Sequence, residues 1–341
     1  MENERLFYLD FIRAFATVSI LLTHFNAIYL YINPPMPEKA VITTTVANIY
    51  IGNFGVSLFF IISGAALMYV YQEKCNLKDY FKKRFLSIYP MFWMAYIIVF
   101  IFYVVMGVPI LNQAPLWKVI FTIIGFDGYL MENTATFYIL GEWFLGCIIL
   151  MYLIFPVLKK GVITFPKVTA GLLLILGLIS VYFNPTAFPT AKFLFTRLPE
   201  FALGMYFIRY IKKVNIFMFL LSSIVLILNT VIHPKINDNI QTAYVGICAF
   251  FVLVFVSKYL KSPGIKKISL VISKYSYPIF LVHHVIIAKI TSYFNLTTIT
   301  VKESYMLFFI CCCVIIVCAW LLYTTNKILM KNILLIKNTK G

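Results

Sequence analysis

Charged residues are scarce in this sequence: Asp, Glu, Lys and Arg make up 12% of 341 residues. Soluble domains carry about 25%. With 62% hydrophobic residues and a mean hydropathy of +0.92, a soluble globular fold is excluded. Acid is the rarer sign, 12 Asp and Glu against 29 Lys and Arg, which leaves a net charge of +17. Such a surplus suits nucleic acid only when it is gathered on one solvated face. Here it is scattered between apolar runs, so no nucleic-acid partner is expected. There are seven cysteines, and they offer neither a disulfide framework nor a zinc-like Cys/His spacing, so no metal is expected. Internal repeats, low-complexity linkers and large polar insertions are also missing. Residues 1–341 therefore read as a single membrane domain with no fused soluble domain. The first apolar segment is too long and too polar for a cleaved leader, and no small-residue cleavage site follows it.

What is present is a series of apolar runs of about 20 residues, the length that crosses a bilayer. They predict an all-α, polytopic integral membrane protein of about ten helices, over 6–30, 50–72, 85–107, 138–158, 167–183, 193–211, 214–232, 241–260, 272–294 and 304–329. A weaker stretch, Trp117–Leu130, is broken by Gly125, Asp127 and Gly128 and reads as re-entrant or interfacial. Most Lys and Arg fall in alternate connections and the C-terminal tail, including Lys82-Lys83-Arg84, Lys159-Lys160, Lys212-Lys213, Lys261, Lys266-Lys267, Lys337 and Lys340, with Arg5 at the N-terminus. Only Lys39, Lys118, Lys192, Lys235, Lys289 and Lys302 fall on the other side. The positive-inside rule then places both termini in the cytoplasm. Richness in Lys, Ile, Phe and Asn suits a low-GC bacterium, and the expected location is the bacterial plasma membrane.

Within these spans a few polar groups stand out, because an ionisable group in lipid costs at least a few kcal/mol and persists where it is paired or used. The first span carries Asp10, Arg13 and His24. At 100° per residue, the eleven steps from Arg13 to His24 put both on one helix face, about 16 Å apart. Thr17 and Ile20 lie between them, and Asp10 sits one turn before Arg13. In this topology Arg13 lies near the cytoplasmic side and His24 near the outer side. Glu142, at the start of the fourth span, and Arg197 and Glu200 on the sixth also fall in the outer half. Arg13 with Asp10, and Arg197 with Glu200, also suit plain structural ion pairs. His24 also suits an interfacial residue bonded to a carbonyl. Of the neighbours His283 and His284, one must face away from the other, so at least one is structural. As a set, these groups suit catalysis. A neutral imidazole takes a proton from a hydroxyl near ambient pH, a carboxylate orients it, and a basic cluster at the cytoplasmic mouth suits a phosphate-rich donor.

Several stretches, in order, resemble the membrane-bound acyltransferase-3 family, whose members include O-acetyltransferases of surface polysaccharides. Tyr8-Leu9-Asp10-Phe11-Ile12-Arg13-Ala14 with His24 matches the family's Arg-x10-His pattern. Gly55-Val56-Ser57-Leu58-Phe59-Phe60-Ile61-Ile62-Ser63-Gly64 is similar to its second-helix block. Phe81-Lys82-Lys83-Arg84-Phe85 with Ile88-Tyr89-Pro90 resembles its basic loop. Trp143-Phe144-Leu145, Arg197-Leu198-Pro199-Glu200-Phe201-Ala202-Leu203-Gly204 and Ser276-Tyr277-Pro278-Ile279-Phe280-Leu281-Val282-His283 complete the set. The resemblance implies a ten-helix bundle that moves an acyl group other than aminoacyl, most often acetyl from acetyl-CoA, onto a glycan hydroxyl. It maps the catalytic histidine onto His24, the motif arginine onto Arg13, and contacts to the CoA phosphates onto Lys83 and Arg84. No permanently bound cofactor is implied.

Two positions depart from the pattern. Ser87 stands where many members have a second arginine, and Ile148 stands where one branch has a glutamate. Glu142 is the acidic residue nearest that place and is read as its substitute. The expected function is O-acylation of a cell-surface polysaccharide or its lipid-linked precursor by acyl-CoA, with membrane lipid around it. Candidate catalytic residues are His24, Glu142 and Glu200, with Arg13, Lys83 and Arg84 on the donor. The alternative is an exporter or flippase of a glycan or lipid-linked sugar. Against it, no paired discontinuous helices recur in two corresponding halves.

Overall fold

In lipid a backbone N–H or C=O finds no water, so apolar runs must close their hydrogen bonds within helices. The computed structural model, which describes residues 6–184, 188–260 and 262–339 with side chains as far as Asn332, is accordingly almost wholly helical. Its helices are α1 (Phe7–Leu30), α2 (Ile51–Tyr71), α3 (Leu77–Val105), α4 (Val119–Ile124), α5 (Asp127–Leu130), α6 (Trp143–Thr164), α7 (Pro166–Tyr182), α8 (Leu194–Tyr206, continued by a π turn Phe207–Ile211), α9 (Ile216–Ile232), α10 (Asp238–Ser257), α11 (Pro263–Thr291) and α12 (Val301–Thr339). A two-stranded antiparallel hairpin, Thr45–Val46 with Ile49–Tyr50, precedes α2. Among the described residues, seven helices are long and apolar enough to cross a membrane: α1, α2, α3, α6, α10, α11 and α12 over Val301–Asn332. The helices α7 and α9 are shorter and also apolar. The protein is an all-α, multi-pass membrane protein.

Local chemistry explains the boundaries. Asn215 caps α9 by accepting from the Met218 amide at 2.8 Å, and Pro166 occupies the first turn of α7, where no N–H is needed. Before α12, Thr300 and Glu303 form a capping box: the Thr300 amide donates to the Glu303 carboxylate at 2.6 Å and the Glu303 amide to the Thr300 hydroxyl at 3.3 Å. Hydropathy misplaces some ends. The basic stretch Lys82-Lys83-Arg84, expected as a loop, lies inside α3, because helical backbone continues past the last apolar residue into water. Helix α11 likewise begins at Pro263 and takes in Lys266, Lys267 and Lys274. Glu142, expected in a helical turn, instead precedes α6. The stretch Trp117–Leu130 holds only a 3-10 turn and the short helices α4 and α5, neither long enough to span. Arg5, Lys261, Lys340 and the Lys337 side chain lie outside the described residues.

The chain divides into two compact units that alternate along the sequence. The first comprises residues to Ala27, Ile42–Tyr80 and Cys147–Lys274. Its centre is a crossing of α2 and α8 in which backbone meets backbone. A Cβ on Gly64 would fall 1.9 Å from the Phe201 carbonyl oxygen, and one on Gly204 would fall 1.9 Å from that of Ile61. Only glycine fits either place, in the small-residue mode of membrane helix packing. Helix α1 packs on α2 in the same manner, with Gly55 against Ala16, Ser19 and Ile20, and Gly52 against Thr23. The second unit comprises Ile28–Val41, Phe81–Gly146 and the chain from Tyr275 onward. Here Tyr89 and Trp93 of α3 donate to the Ile124 and Ile123 carbonyls at 3.1 and 2.9 Å, which serves the open C-terminal end of α4. Tyr277 of α11 donates to the Ile88 carbonyl at 3.0 Å.

Candidate functional site

In the first unit, the glycine contacts with α2 fix one side of α1, so Ala16 and Thr23 are buried while Phe15 and Val18 are exposed. Arg13 and His24 are both half-buried. Between them Thr17 donates to the Arg13 carbonyl at 2.8 Å. Asp10 is buried and accepts from the Ser273 hydroxyl at 2.5 Å, a tie from α1 to the start of α11. Two residues beyond His24, buried Asn26 donates to the Thr43 carbonyl at 3.0 Å and anchors the helix end. The stripe of Arg13 and His24 is thus held in place by neighbouring polar ties on the same helix.

Helix α8 contributes a fully buried charged pair. The Arg197 Nη1 lies 3.4 Å from Glu200 Oε1, and its Nε donates to the Ala191 carbonyl at 2.6 Å. Pro199 between them packs under Gly177 of α7. The remaining Arg197 Nη2, Glu200 Oε2 and Ser57 Oγ have no well-aligned hydrogen bond among the described residues, although the Ser57 hydroxyl stands beside the Glu200 carboxylate. Taking two charges out of water is favourable only with close pairing and further hydrogen bonds. Burial of Glu200 with its arginine makes this a structural tie between α8 and α2 as much as a reactive group.

The second unit organises Glu142. Gly141 has φ +81°, a left-handed conformation that favours glycine. The 127–129 turn crosses the chain there so closely that a Cβ on Gly128 would lie 2.3 Å from the Gly141 oxygen. This crossing, a parallel bridge of Gly128 with Glu142, holds the glutamate just ahead of α6. Its Oε1 accepts from the Tyr138 hydroxyl at 2.6 Å and lies 3.7 Å from His284 Nδ1. Phe144 packs edge-on against Phe280, joining the start of α6 to α11. His283 is buried and turns its Nδ1 onto its own helix, toward the Phe280 carbonyl at 2.8 Å and that of Ile279 at 3.2 Å. The choice between the two adjacent histidines falls to His284, whose side chain is 44% exposed. A phenol, a carboxylate and an accessible imidazole therefore meet at Glu142. Sequence reasoning named Glu142 and left the choice between His283 and His284 open, but did not single out Tyr138. The Tyr138-x3-Glu142 spacing was the available signal, and His284 came from a distant segment.

Beneath this group, outside the spanning helices, lies Asp127. It is 2% exposed, and both its carboxylate oxygens lack an aligned hydrogen bond among the described residues. Burial pushes its pKa up to about 6, against a smaller opposing pull from the Thr122 hydroxyl and Phe137 amide. Lys82 and Lys83 are exposed on α3 and Arg84 is half-buried beside them. Consecutive residues on a helix point in different directions, so these three spread their charge around the helix and offer several donors to a polyanion.

The model of the acyltransferase-3 family, described as an acyltransferase domain, matches residues 6–324. No curated protein and no solved structure gives a significant match. The family match takes in both units and every polar group described above. The chain belongs to the acyltransferase-3 family: it is a multi-pass membrane acyltransferase that transfers groups other than aminoacyl groups.

Proposed function

We propose that the protein is an O-acyltransferase of the bacterial plasma membrane, moving an acyl group, acetyl in the first instance, from cytoplasmic acyl-CoA to a hydroxyl of a cell-surface polysaccharide or its lipid-linked precursor. In this reading ten helices cross the bilayer and both termini are cytoplasmic. Arg13, Lys83 and Arg84 hold the phosphates of the donor. His24 takes the proton of the acceptor hydroxyl, whose oxygen attacks the thioester carbonyl. The C–S bond breaks, an ester C–O bond forms, and the imidazolium returns its proton to the departing CoA thiolate. In the variant of this scheme, His24 itself carries the acyl group between donor and acceptor. Glu142, with Tyr138 and His284, supplies the carboxylate of the acceptor side, and Glu200 acts through Arg197.

The observation that carries the reading is a half-buried histidine on a largely apolar helix, three turns from a half-buried arginine on the same face. Groups of this kind persist in a membrane where they are paired or used, and their shared face favours use. The test is transfer of labelled acetyl from acetyl-CoA to the acceptor glycan by purified protein. His24→Ala at wild-type protein level should lower the rate roughly 100- to 10,000-fold, the range of a lost general base. Full acetylation by that variant would remove His24 from the chemistry. Trapping of labelled acetyl on the protein, lost in the same variant, would select the carrier route.

A further inference from the structure

A second feature of the second unit bears on how the acceptor is held. A groove of about 430 Å³ runs between α3, α11 and α12. Its walls are apolar, with Val99 and Phe102 from α3, Val285 from α11, and Cys318 and Leu322 from α12. Ile98 and Leu321 also line it and are themselves exposed, so the groove opens toward the lipid-facing surface of these helices. One cation belongs to it. Lys289, near the end of α11, lines the groove with its ammonium 4.7 Å from the ring centroid of Tyr293. Among the described residues, no carboxylate lies within ion-pair distance of Lys289. Lys289 is half-buried in the last turn of α11, where a lysine side chain reaches the level of lipid headgroups. Basic positions between membrane helices commonly hold lipid phosphate.

Polar groups then lead away from this lysine within the same unit. The Tyr103 phenol lies within the electrostatic reach of Lys289, and Tyr138 within that of Tyr103. Tyr138 donates to Glu142, and His284 stands beyond it. The groove thus offers an apolar trough and a cation, and the same unit carries hydroxyls and the Tyr138–Glu142 pair within reach of that cation. These are the parts that match an amphiphile made of one hydrocarbon chain, a phosphate and a sugar. Phenols suit sugar hydroxyls, because each phenol both donates and accepts.

We propose that this groove seats the hydrocarbon chain of a phosphate-linked glycan lipid, the acceptor, with its phosphate on Lys289 and its first sugar along Tyr103, Tyr138 and Glu142. This rests on the O-acyltransferase reading above and commits it to the lipid-linked form of the acceptor. The ionic contact fixes the depth of the lipid, and the chain pocket fixes its orientation, so that a chosen hydroxyl meets Glu142.

The test begins with binding alone, by photo-crosslinking of a polyisoprenyl phosphate probe to full-length protein in phosphatidylcholine nanodiscs. Labelling should fall on α3, α11 and α12, and should weaken roughly tenfold for the corresponding polyisoprenol, which lacks the charged hydrogen bond. Lys289→Gln should weaken the phosphate probe to the level of the alcohol. Ile98→Trp, which fills the trough from its exposed edge, should weaken both probes. In the transfer assay, the two variants should raise KM for the lipid-linked acceptor and leave KM for acyl-CoA unchanged. Equal labelling by phosphate and alcohol, equal competition by phosphatidylglycerol, or an unchanged acceptor KM in both variants would overturn the proposal. If Lys289-dependent binding were found while the wild-type protein acylated no glycan lipid, the O-acyltransferase reading would fail instead, and with it the assignment of the lipid as acceptor.

Discussion

At the scale of single residues, the protein places polar side chains where their neighbours fix them. Tyr138 gives its hydroxyl to Glu142 at 2.6 Å, on the oxygen that faces His284. Tyr138→Phe keeps the ring and removes that bond. It should lower kcat/KM for the acceptor roughly tenfold with unchanged protein level, the worth of one hydrogen bond to a charged group. Steady-state acyl transfer measures it. Asp127 gives a pH signature. Its folded pKa is raised, to about 6, while an unfolded aspartate titrates near 4. The folded state therefore disfavours the charged form, so this contribution to stability is complete below about pH 4 and is lost as pH rises to about 6. Thermal unfolding in detergent should show wild-type protein losing midpoint temperature across that window. Asp127→Asn should flatten the loss. Of these residues the sequence named Glu142, because an acid near an apolar run is conspicuous. Tyr138 was not legible, and the choice between His283 and His284 stayed open, since a lone tyrosine and two adjacent histidines look ordinary until a fold brings one of each to the same carboxylate.

At the scale of elements, helices are set by apolar runs and their contacts by glycine. Where α2 crosses α8, the Gly204 position has a carbonyl oxygen 1.9 Å from where a Cβ would stand. Gly204→Ala should therefore push the two helices apart and cost at least ~1–3 kcal/mol, as overpacking does. It would separate Arg197 and Glu200 on α8 from Ser57 on α2. Size-exclusion profiles and thermal midpoints in detergent report the change, and wild-type values for both would contradict the close crossing. Gly64 and Gly204 both lie in stretches that carried the family resemblance, but their meaning is steric and emerges only when two backbones meet. Helix ends were the least legible feature. Lys82, Lys83 and Arg84 ended the apolar run, yet hydrogen bonding carries α3 back to Leu77. Hydropathy records where lipid stops, and a helix need not stop there.

At the scale of the whole molecule, most Lys and Arg fall in alternate connections between the apolar runs and in the C-terminal tail. If both termini are cytoplasmic, Lys78 lies inside and Glu38 outside. On a background with Cys75→Ser, a membrane-impermeant maleimide should label Glu38→Cys in intact cells. It should reach Lys78→Cys only after permeabilisation. The opposite pattern would invert the topology. The sequence by itself determined the membrane class, the position of most helices and the family, because each follows from residue order alone: apolar length, charge counts and spaced motifs. Tertiary structure decided which groups meet. It turned His283 onto its own helix carbonyls, gave Glu142 a phenol and an imidazole, and buried Glu200 against Arg197. It also opened an apolar groove ending at Lys289. Those outcomes depend on contacts between segments far apart in the chain, which helical periodicity does not encode.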